Sequence, residues 1–92
     1  MKENLSNAEK KELRKKAHAL KPVVMIGQHG LTDAVLAEID LALNAQELIK
    51  VRVRGSEKNE RAEQIAQIKD QLNAEVVHQI GGITVLYRLV TD

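Results

Sequence analysis

Two glycines, Gly27 and Gly30, bracket a short turn between an apolar, strand-like run and a helix-like pattern. Such a turn places backbone N–H groups near the positive end of a helix dipole, a geometry that attracts anions such as phosphate. Glycine at both ends permits positive φ and leaves room for a ligand backbone to approach. Gln28 and His29 lie inside the turn, and His29 could donate to such a phosphate. For His29, an exposed loop position without a special role is an equal alternative.

The glycine pair is a weak signal by itself, because two glycines three residues apart often mark only a tight connection between a strand and a helix. The segment does not match Gly-x-Gly-x-x-Gly and has no Gly-Lys-Ser/Thr step. Dinucleotide and nucleotide fingerprints are therefore excluded at this turn.

A helix predicted from Ser6 to about Leu20 carries a stripe of cations. Ser6 and Glu9 form a capping-box pattern at its start, and Pro22 stops it. Four side chains fall on one face at spacing i, i+3, i+4 and i+7: Lys11, Arg14, Lys15 and His18. This stripe could bind a polyanion, although simple solvent exposure is a close alternative for the histidine.

The segment ELIKVRVR, residues 47–54, alternates with period two and predicts a strand with one apolar and one basic face. The basic face carries Lys50, Arg52 and Arg54. These side chains could extend an anion-binding surface. A comparable alternative is that they protect the edge strand of a sheet from aggregation.

Charge is distributed unevenly along the chain. Residues 1–30 carry seven Lys or Arg against three Glu, a balance of +4, whereas residues 31–92 carry seven against ten acids, a balance of −3. The asymmetry fits one positive face for a polyanion on an otherwise acidic surface. Judged from charge alone, a lysine-rich solubilising helix is the simpler explanation.

Composition limits the classes of protein that fit the chain. Its 92 residues suffice for one domain, residues 1–92, with a single core. The absence of cysteine excludes a disulfide-stapled mini-protein and a zinc ribbon. With one Tyr, no Phe and no Trp, the chain lacks platforms for extensive base stacking. Apolar runs fall short of the roughly 18 residues of a membrane span, so we expect a cytoplasmic protein that does not enter membranes.

The patterns predict the element order αβαβαββ and an α/β fold. Strand–helix–strand units favour parallel neighbours, and a final hairpin at Gly81-Gly82 adds an antiparallel strand to make a mixed four-stranded sheet. This dipeptide suits a tight hairpin turn, because both of its residues can take positive φ. With so few strands, the two crossover helices should share one face of a two-layer structure.

The motifs together resemble the CRM domain, named for chloroplast RNA splicing and ribosome maturation, and in particular its free-standing bacterial form, the YhbY family. The resemblance runs from about Leu5 to Leu89 and rests on LKPVVMIGQHGLTDAVLAEIDLAL followed by ELIKVRV. Its most specific elements are Lys21-Pro22, Gly27-x-x-Gly30 with Leu31-Thr32, Glu38, and Leu48-Ile49-Lys50-Val51. It implies a fold resembling the C-terminal domain of translation initiation factor three and a glycine loop resembling the RNA-contacting loop of KH domains. It also implies association with precursors of the large ribosomal subunit.

The residues and the resemblance together predict an RNA-binding protein that assists large-subunit assembly. We expect recognition by shape and phosphate contact, with little base stacking. The predicted RNA-binding residues are Lys11, Arg14, Lys15, His18, Lys21, Gly27, Gln28, His29, Gly30, Lys50, Arg52 and Arg54. Replacing both glycines of the turn by Asp is predicted to abolish RNA binding while the fold is retained.

A protein-interaction module is the alternative, in which the basic helix and strand dock an acidic partner without RNA contact. An enzyme is the weakest hypothesis, because no nucleophile or acid–base pair stands out. The three histidines are distant in sequence and lack ligand-spaced carboxylates, so we expect no metal and no other cofactor. His78 is expected to have a structural or surface role. We also expect a monomer.

Overall fold

The computed structural model describes residues 5–27, 29–54 and 57–90. The elements are α1 (Asn7–Ala17), β1 (Pro22–Ile26), α2 (Asp33–Gln46), β2 (Leu48–Val53), α3 (Lys58–Leu72), β3 (Glu75–Ile80) and β4 (Ile83–Tyr87). The predicted order αβαβαββ is confirmed. None of the helices in these ranges is long and apolar enough to cross a membrane.

Two element ends differ from the prediction. The first helix stops at Ala17 and not near Leu20, because the Leu20 N–H donates to Ala17 O at 3.0 Å in a tighter turn before the Lys21-Pro22 step. The last strand stops at Tyr87, short of the Val90 that the apolar pattern predicts; the Arg88 N–H still donates to Glu47 O at 2.9 Å, but Glu47 has a φ of 64° and lies outside β2.

The mixed sheet has the strand order β1-β2-β4-β3. β1 and β2 pair in parallel, whereas β4 pairs antiparallel with both β2 and β3. β4 therefore separates β2 from β3, which the strand–helix–strand pattern had suggested as neighbours; this central place suits a strand whose Val85 and Leu86 are buried. Because β2 also has a partner on each side, the interpretation of its cations as protection of a sheet edge is wrong.

The two faces of the sheet are covered unequally. α2 and α3 pack together on one face, around a core that includes Leu36, Ile39, Leu43, Ile49, Val51, Ile68 and Leu86. This confirms that the crossover helices share a face. α1 lies on the opposite face as a partial third layer, where Ala17 packs against Leu48, Val77 and Val85.

Local hydrogen bonds fix the helix starts. The Ser6 N–H donates to Glu9 Oε1 at 3.0 Å, and the Glu9 N–H donates to Ser6 Oγ at 3.1 Å, so the predicted capping box is present. Thr32 Oγ1 accepts from the Val35 N–H at 3.2 Å at the start of α2.

The β3–β4 turn uses its two glycines for different reasons. Gly81 has a φ of 56°, whereas Gly82 does not have positive φ, so only the first glycine uses that conformational freedom. A Cβ at Gly82 would lie 2.8 Å from Val53 O. The second glycine therefore provides room for close packing against β2, where the Val53 N–H donates to Gly82 O at 2.7 Å.

An arginine that the sequence analysis did not select holds the carboxyl ends of α2 and α3 together. Arg88 Nη1 donates to Leu72 O at 2.8 Å and forms an ion pair with Asp40 Oδ1 at 2.8 Å. Its Nη2 donates to Asp40 O at 3.1 Å and to Asn44 Oδ1 at 2.9 Å. The guanidinium thus supplies a donor to the Leu72 carbonyl at the end of α3 and links it to Asp40 and Asn44 of α2.

Candidate nucleic-acid interface

The glycine turn connects the carboxyl end of β1 to the start of α2. It is closed by a hydrogen bond from the Gly30 N–H to Gly27 O at 3.0 Å. Gly30 has a φ of 74°, which favours glycine, whereas Gly27 does not have positive φ. His29 is exposed, and Gln28 lies outside the described residues.

Fewer amides of this turn are free for an anion than the sequence suggests. The Gly30 N–H is used inside the turn, and the Val35 N–H is capped by Thr32. Asp33 adds a carboxylate in the first turn of α2, where it partly balances the positive end of the helix dipole. Binding of phosphate near the turn therefore depends more on neighbouring side-chain cations.

The two glycines of the turn differ in what surrounds them. A Cβ built at Gly30 would lie 3.3 Å from Nε2 of Gln64 on α3. At Gly27, no described atom beyond the chain neighbours lies within 4 Å of such a Cβ. A side chain at position 30 is therefore strained, so the predicted double substitution by Asp should cost stability at Gly30 as well as RNA binding. At position 27, the lack of a side chain leaves space open to an approaching ligand.

Arg61 is a cation on α3 that the sequence analysis did not select. It is half-buried and lies one helical turn before Gln64 on the same side of α3. Its Nε has no hydrogen-bond partner among the described residues. Arg61 and Gln64 are three residues apart and flank the buried residues Ile65 and Ile68 of α3. That spacing was the only sequence signal for the pair.

The arginines of β2 adjoin the glycine turn. Arg52 is the register partner of Met25 on β1, and the Arg54 N–H donates to Ile26 O at 2.8 Å. Alternation along β2 buries Ile49, Val51 and Val53 toward α2 and α3. Lys50, Arg52 and Arg54 therefore follow the other face, the one on which α1 packs.

The predicted cation stripe of α1 meets the basic strand across a cleft. The cleft has a volume of about 430 Å³, and its polar lining consists of Lys11, Arg14, Lys15, His18, Lys50 and His78. The four stripe residues are exposed, and Lys50 is half-buried. We call the surface formed by this cleft, Arg52 and Arg54 the basic face. None of the described residues that line the cleft is acidic.

Lys21 lies apart from the glycine turn. It precedes β1, whereas the turn follows β1, so roughly 20 Å of extended chain separates the two. The side chain is exposed. If Lys21 contacts the same ligand as the turn, that ligand must extend along the whole strand.

The opposite side of the molecule is acidic. Glu57, Glu60, Glu63 and Asp70 are exposed at the start of α3 or along it, and α3 packs on the sheet face away from α1. In the folded chain, the sheet face that carries α1 is therefore more positively charged than the face that carries α2 and α3. One face favours a polyanion, and the other repels it.

Two ionisable groups with shifted pKa values serve the fold. Hydrogen bonding by the Ser6 N–H lowers the pKa of Glu9 from its usual range. Burial raises the pKa of Tyr87, with a further contribution from the Glu47 and Glu9 carboxylates. In residues 5–27, 29–54 and 57–90, no three His, Cys, Asp or Glu side chains are grouped so as to hold a metal ion.

Comparison with protein families matches residues 5–88 to the model described as the CRS1 / YhbY (CRM) domain. An RNA-binding protein of Haemophilus influenzae is 49% identical over 84 residues, covering 91% of this chain and 85% of the relative. A protein of Pseudomonas aeruginosa named a probable RNA-binding protein is 37% identical, with coverages of 91% and 81%.

A solved structure has the same architecture. The solution structure of a hypothetical protein from Staphylococcus aureus superposes with a TM-score of 0.83 at 30% sequence identity. The match covers 97% of this chain and 93% of the other. The α/β fold with a mixed four-stranded sheet and three helices is therefore shared with that protein.

Proposed function

The chain belongs to the CRS1 / YhbY (CRM) domain family, and on that premise we propose that it binds structured ribosomal RNA in precursors of the large subunit. Its relatives from Haemophilus influenzae and Pseudomonas aeruginosa are named for RNA binding. The ribosomal assignment is supported by the resemblance to the free-standing bacterial form of the domain. In this proposal the protein acts in the cytoplasm as a non-enzymatic monomer without a cofactor.

The observation that carries the proposal is the convergence of cations on one sheet face. The α1 stripe, Lys50 and the two β2 arginines are far apart in sequence, yet α1 packs where its cations and the strand share one cleft. The glycine turn lies at the end of that face, beside Arg52 and Arg54. A surface of this kind can follow an RNA backbone over several phosphates.

Sedimentation of a bacterial extract that carries the tagged chain tests the proposal. At low salt, we expect co-migration with particles near the large subunit, and loss of that co-migration after ribonuclease treatment or at raised salt. A protein that stays at the top of the gradient at low salt would contradict the ribosomal assignment. Co-migration that survives ribonuclease would favour docking on an acidic protein partner.

A pair of charge-matched variants makes the test specific to the basic face. Lys11→Gln with Arg14→Gln removes two cations from the cleft, and we expect this variant to leave the particle fractions. Lys58→Gln with Lys69→Gln removes two exposed cations from α3, on the other side of the sheet. The control variant should continue to co-migrate.

A further inference from the structure

The cleft between α1 and the sheet has an apolar floor as well as a cationic rim. Sheet register places Val85 beside Lys50 and His78 in one row, and Ile83 beside Arg52 and Ile80 in the next. Val85, Ile80 and Ile83 line the cleft below the cations. Phosphate binding alone does not use such a floor, because phosphates are bound by charge and hydrogen bonds.

This floor is only partly covered by the protein itself. The side chain of Ile80 is 65% exposed, and Ile83 is half-buried, whereas Val85, nearer α1, is buried. Large apolar side chains exposed together inside a polar rim mark a binding site more often than isolated ones do.

We propose that this cleft binds one unpaired nucleotide of the RNA, with its base against Ile80 and Ile83 and its flanking phosphates on Lys11, Arg14 and Lys50. The inference rests on the proposed RNA-binding function and adds a preference for RNA with unpaired nucleotides. His18 and His78, in the walls of the cleft, are positioned to hydrogen-bond to the edge of the base.

The volume and the charge of the cleft favour a nucleotide as its ligand. A volume of about 430 Å³ falls within the roughly 300–1,000 Å³ typical of small-ligand pockets. A nucleotide combines a flat, weakly polar base with an anionic phosphate, which matches an apolar floor under cations. In a duplex, the bases are held inside the stack, so only an unpaired or extruded nucleotide can reach the floor.

The same dimensions disfavour an acidic helix of a protein partner. Cross-strand neighbours such as Ile80 and Ile83 lie about 5 Å apart, and the next row with the same orientation lies about 7 Å further along the strands. A docked helix usually presents apolar anchors from i to i+7, which span roughly 10 Å or more. In size, the apolar floor therefore matches the face of one base better than it matches the apolar stripe of a helix.

The test compares two RNAs that differ only in unpaired nucleotides. A blunt RNA duplex and the same duplex with a bulge are titrated into the full chain, with methyl NMR and fluorescence polarisation as readouts. We expect the bulged RNA to bind more tightly and to shift the methyl signals of Ile80, Ile83 and Val85. The blunt duplex should bind through phosphates and leave those methyl signals in place.

Matched variants test the floor directly. Ile80→Ser removes an exposed apolar side chain from the floor and should weaken binding of the bulged RNA about five- to tenfold, without changing binding of the blunt duplex. Leu41→Ser is the control, because Leu41 is 69% exposed on α2, on the far side of the sheet. The control should leave both affinities unchanged.

The outcomes separate this inference from the proposed function. Equal affinity for both RNAs, with the floor methyl signals unmoved, would overturn the nucleotide site while RNA binding stands. Failure to bind either RNA would contradict both. If a polyglutamate peptide moves the floor methyl signals and neither RNA does, the cleft is a protein-docking site and the inference is wrong.

Discussion

Substitution at Gly27 should weaken RNA binding without loss of stability, and this separation follows from the open space around the residue. Gly27 is exposed, lacks positive φ, and has no described non-neighbouring atom within 4 Å of a Cβ built on it. Gly27→Ala should therefore leave the free energy of unfolding unchanged, or raise it by about 0.4–1 kcal/mol through a less flexible unfolded chain. Gly27→Asp should remain within about 0.5 kcal/mol of the parent.

Gly30 is the contrasting position in the same turn. Its φ of 74° and the 3.3 Å distance from the Cβ position to Gln64 Nε2 mean that any side chain is strained there. Gly30→Ala should lower the free energy of unfolding by about 1–2 kcal/mol. The two glycines thus have opposite predicted effects on folding, although both are expected to lie near the RNA.

The effect of Gly27→Asp on RNA affinity can be estimated from Coulomb's law. A carboxylate about 5 Å from a phosphate in water costs about 0.8 kcal/mol. Obstruction of the close approach adds to this, for a total of about 1–2 kcal/mol. That range corresponds to a loss of about five- to thirtyfold in affinity. Gly27→Ala lacks the charge and should lose less.

Urea unfolding followed by far-UV circular dichroism measures stability, because the chain has no Trp and only one Tyr. Filter binding at fixed low salt measures RNA affinity. Ala66→Asp is the charge-matched control, since Ala66 is exposed on α3, on the other side of the sheet. A folded Gly27→Asp protein with parental RNA affinity, or an Ala66→Asp protein with an equal loss, would refute the reasoning.

Four further predictions concern the fold. Thr84→Val should leave the free energy of unfolding unchanged or raise it by about 1 kcal/mol in urea titration, because the Thr84 hydroxyl is buried without a hydrogen-bond partner among the described residues; a loss above about 1 kcal/mol would show a missed partner. Arg88→Ala should lower the same quantity by about 1–3 kcal/mol, since it removes the donor to the Leu72 carbonyl and the ion pair with the half-exposed Asp40 carboxylate; a change near zero would contradict this role of Arg88. Ser6→Ala should lower the free energy of unfolding in the same titration by about 1 kcal/mol, because it removes the oxygen that accepts from the Glu9 N–H. Because the folded state lowers the pKa of Glu9 below its usual 4.5, the stability from this carboxylate is present above that pH and is lost as pH falls below it. Glu9→Gln should flatten this part of the curve of stability against pH, and an unchanged curve would be inconsistent with the capping box.

Elements with strong local signals were predictable from the sequence. The period-two pattern of residues 47–54 identified which side chains of β2 face α2 and α3, because alternation follows from strand geometry alone. The capping box at Ser6 marked the start of the first helix, since it depends on hydrogen bonds between residues three apart. The least accurate ends, at Ala17 and Tyr87, depend on turns and long-range bonds.

Long-range pairing was not predictable in the same way. Nothing local to β4 shows that it inserts between β2 and β3, because strand order depends on the total burial of all strands. The role of Arg88 was also hidden, since its partners Asp40 and Leu72 are 48 and 16 residues away in sequence. A lone arginine after a strand has no distinguishing pattern.

The candidate site was predictable as separate parts and not as one surface. Helical spacing predicted that the cations of α1 share one face, and alternation predicted the same for those of residues 47–54. The two sets line one cleft only because α1 packs on the basic side of the sheet, which neither pattern shows. Leu48 is the residue that indicates this packing of α1. It lies on the same strand face as the cation Lys50, yet it is apolar and is buried against α1. The apolar floor at Ile80 and Ile83 had no comparable local signal.

The salt dependence of RNA affinity tests the central claim, that RNA binds the basic face, most directly. With about five phosphates neutralised, the logarithm of affinity should fall against the logarithm of salt concentration with a slope of roughly −3.5 to −4.5. Lys11→Gln with Arg14→Gln should make that slope shallower by about 1.4–1.8, and Lys58→Gln with Lys69→Gln should leave it unchanged. An affinity independent of salt, or equal slopes for the parent and the cleft variant, would contradict the claim.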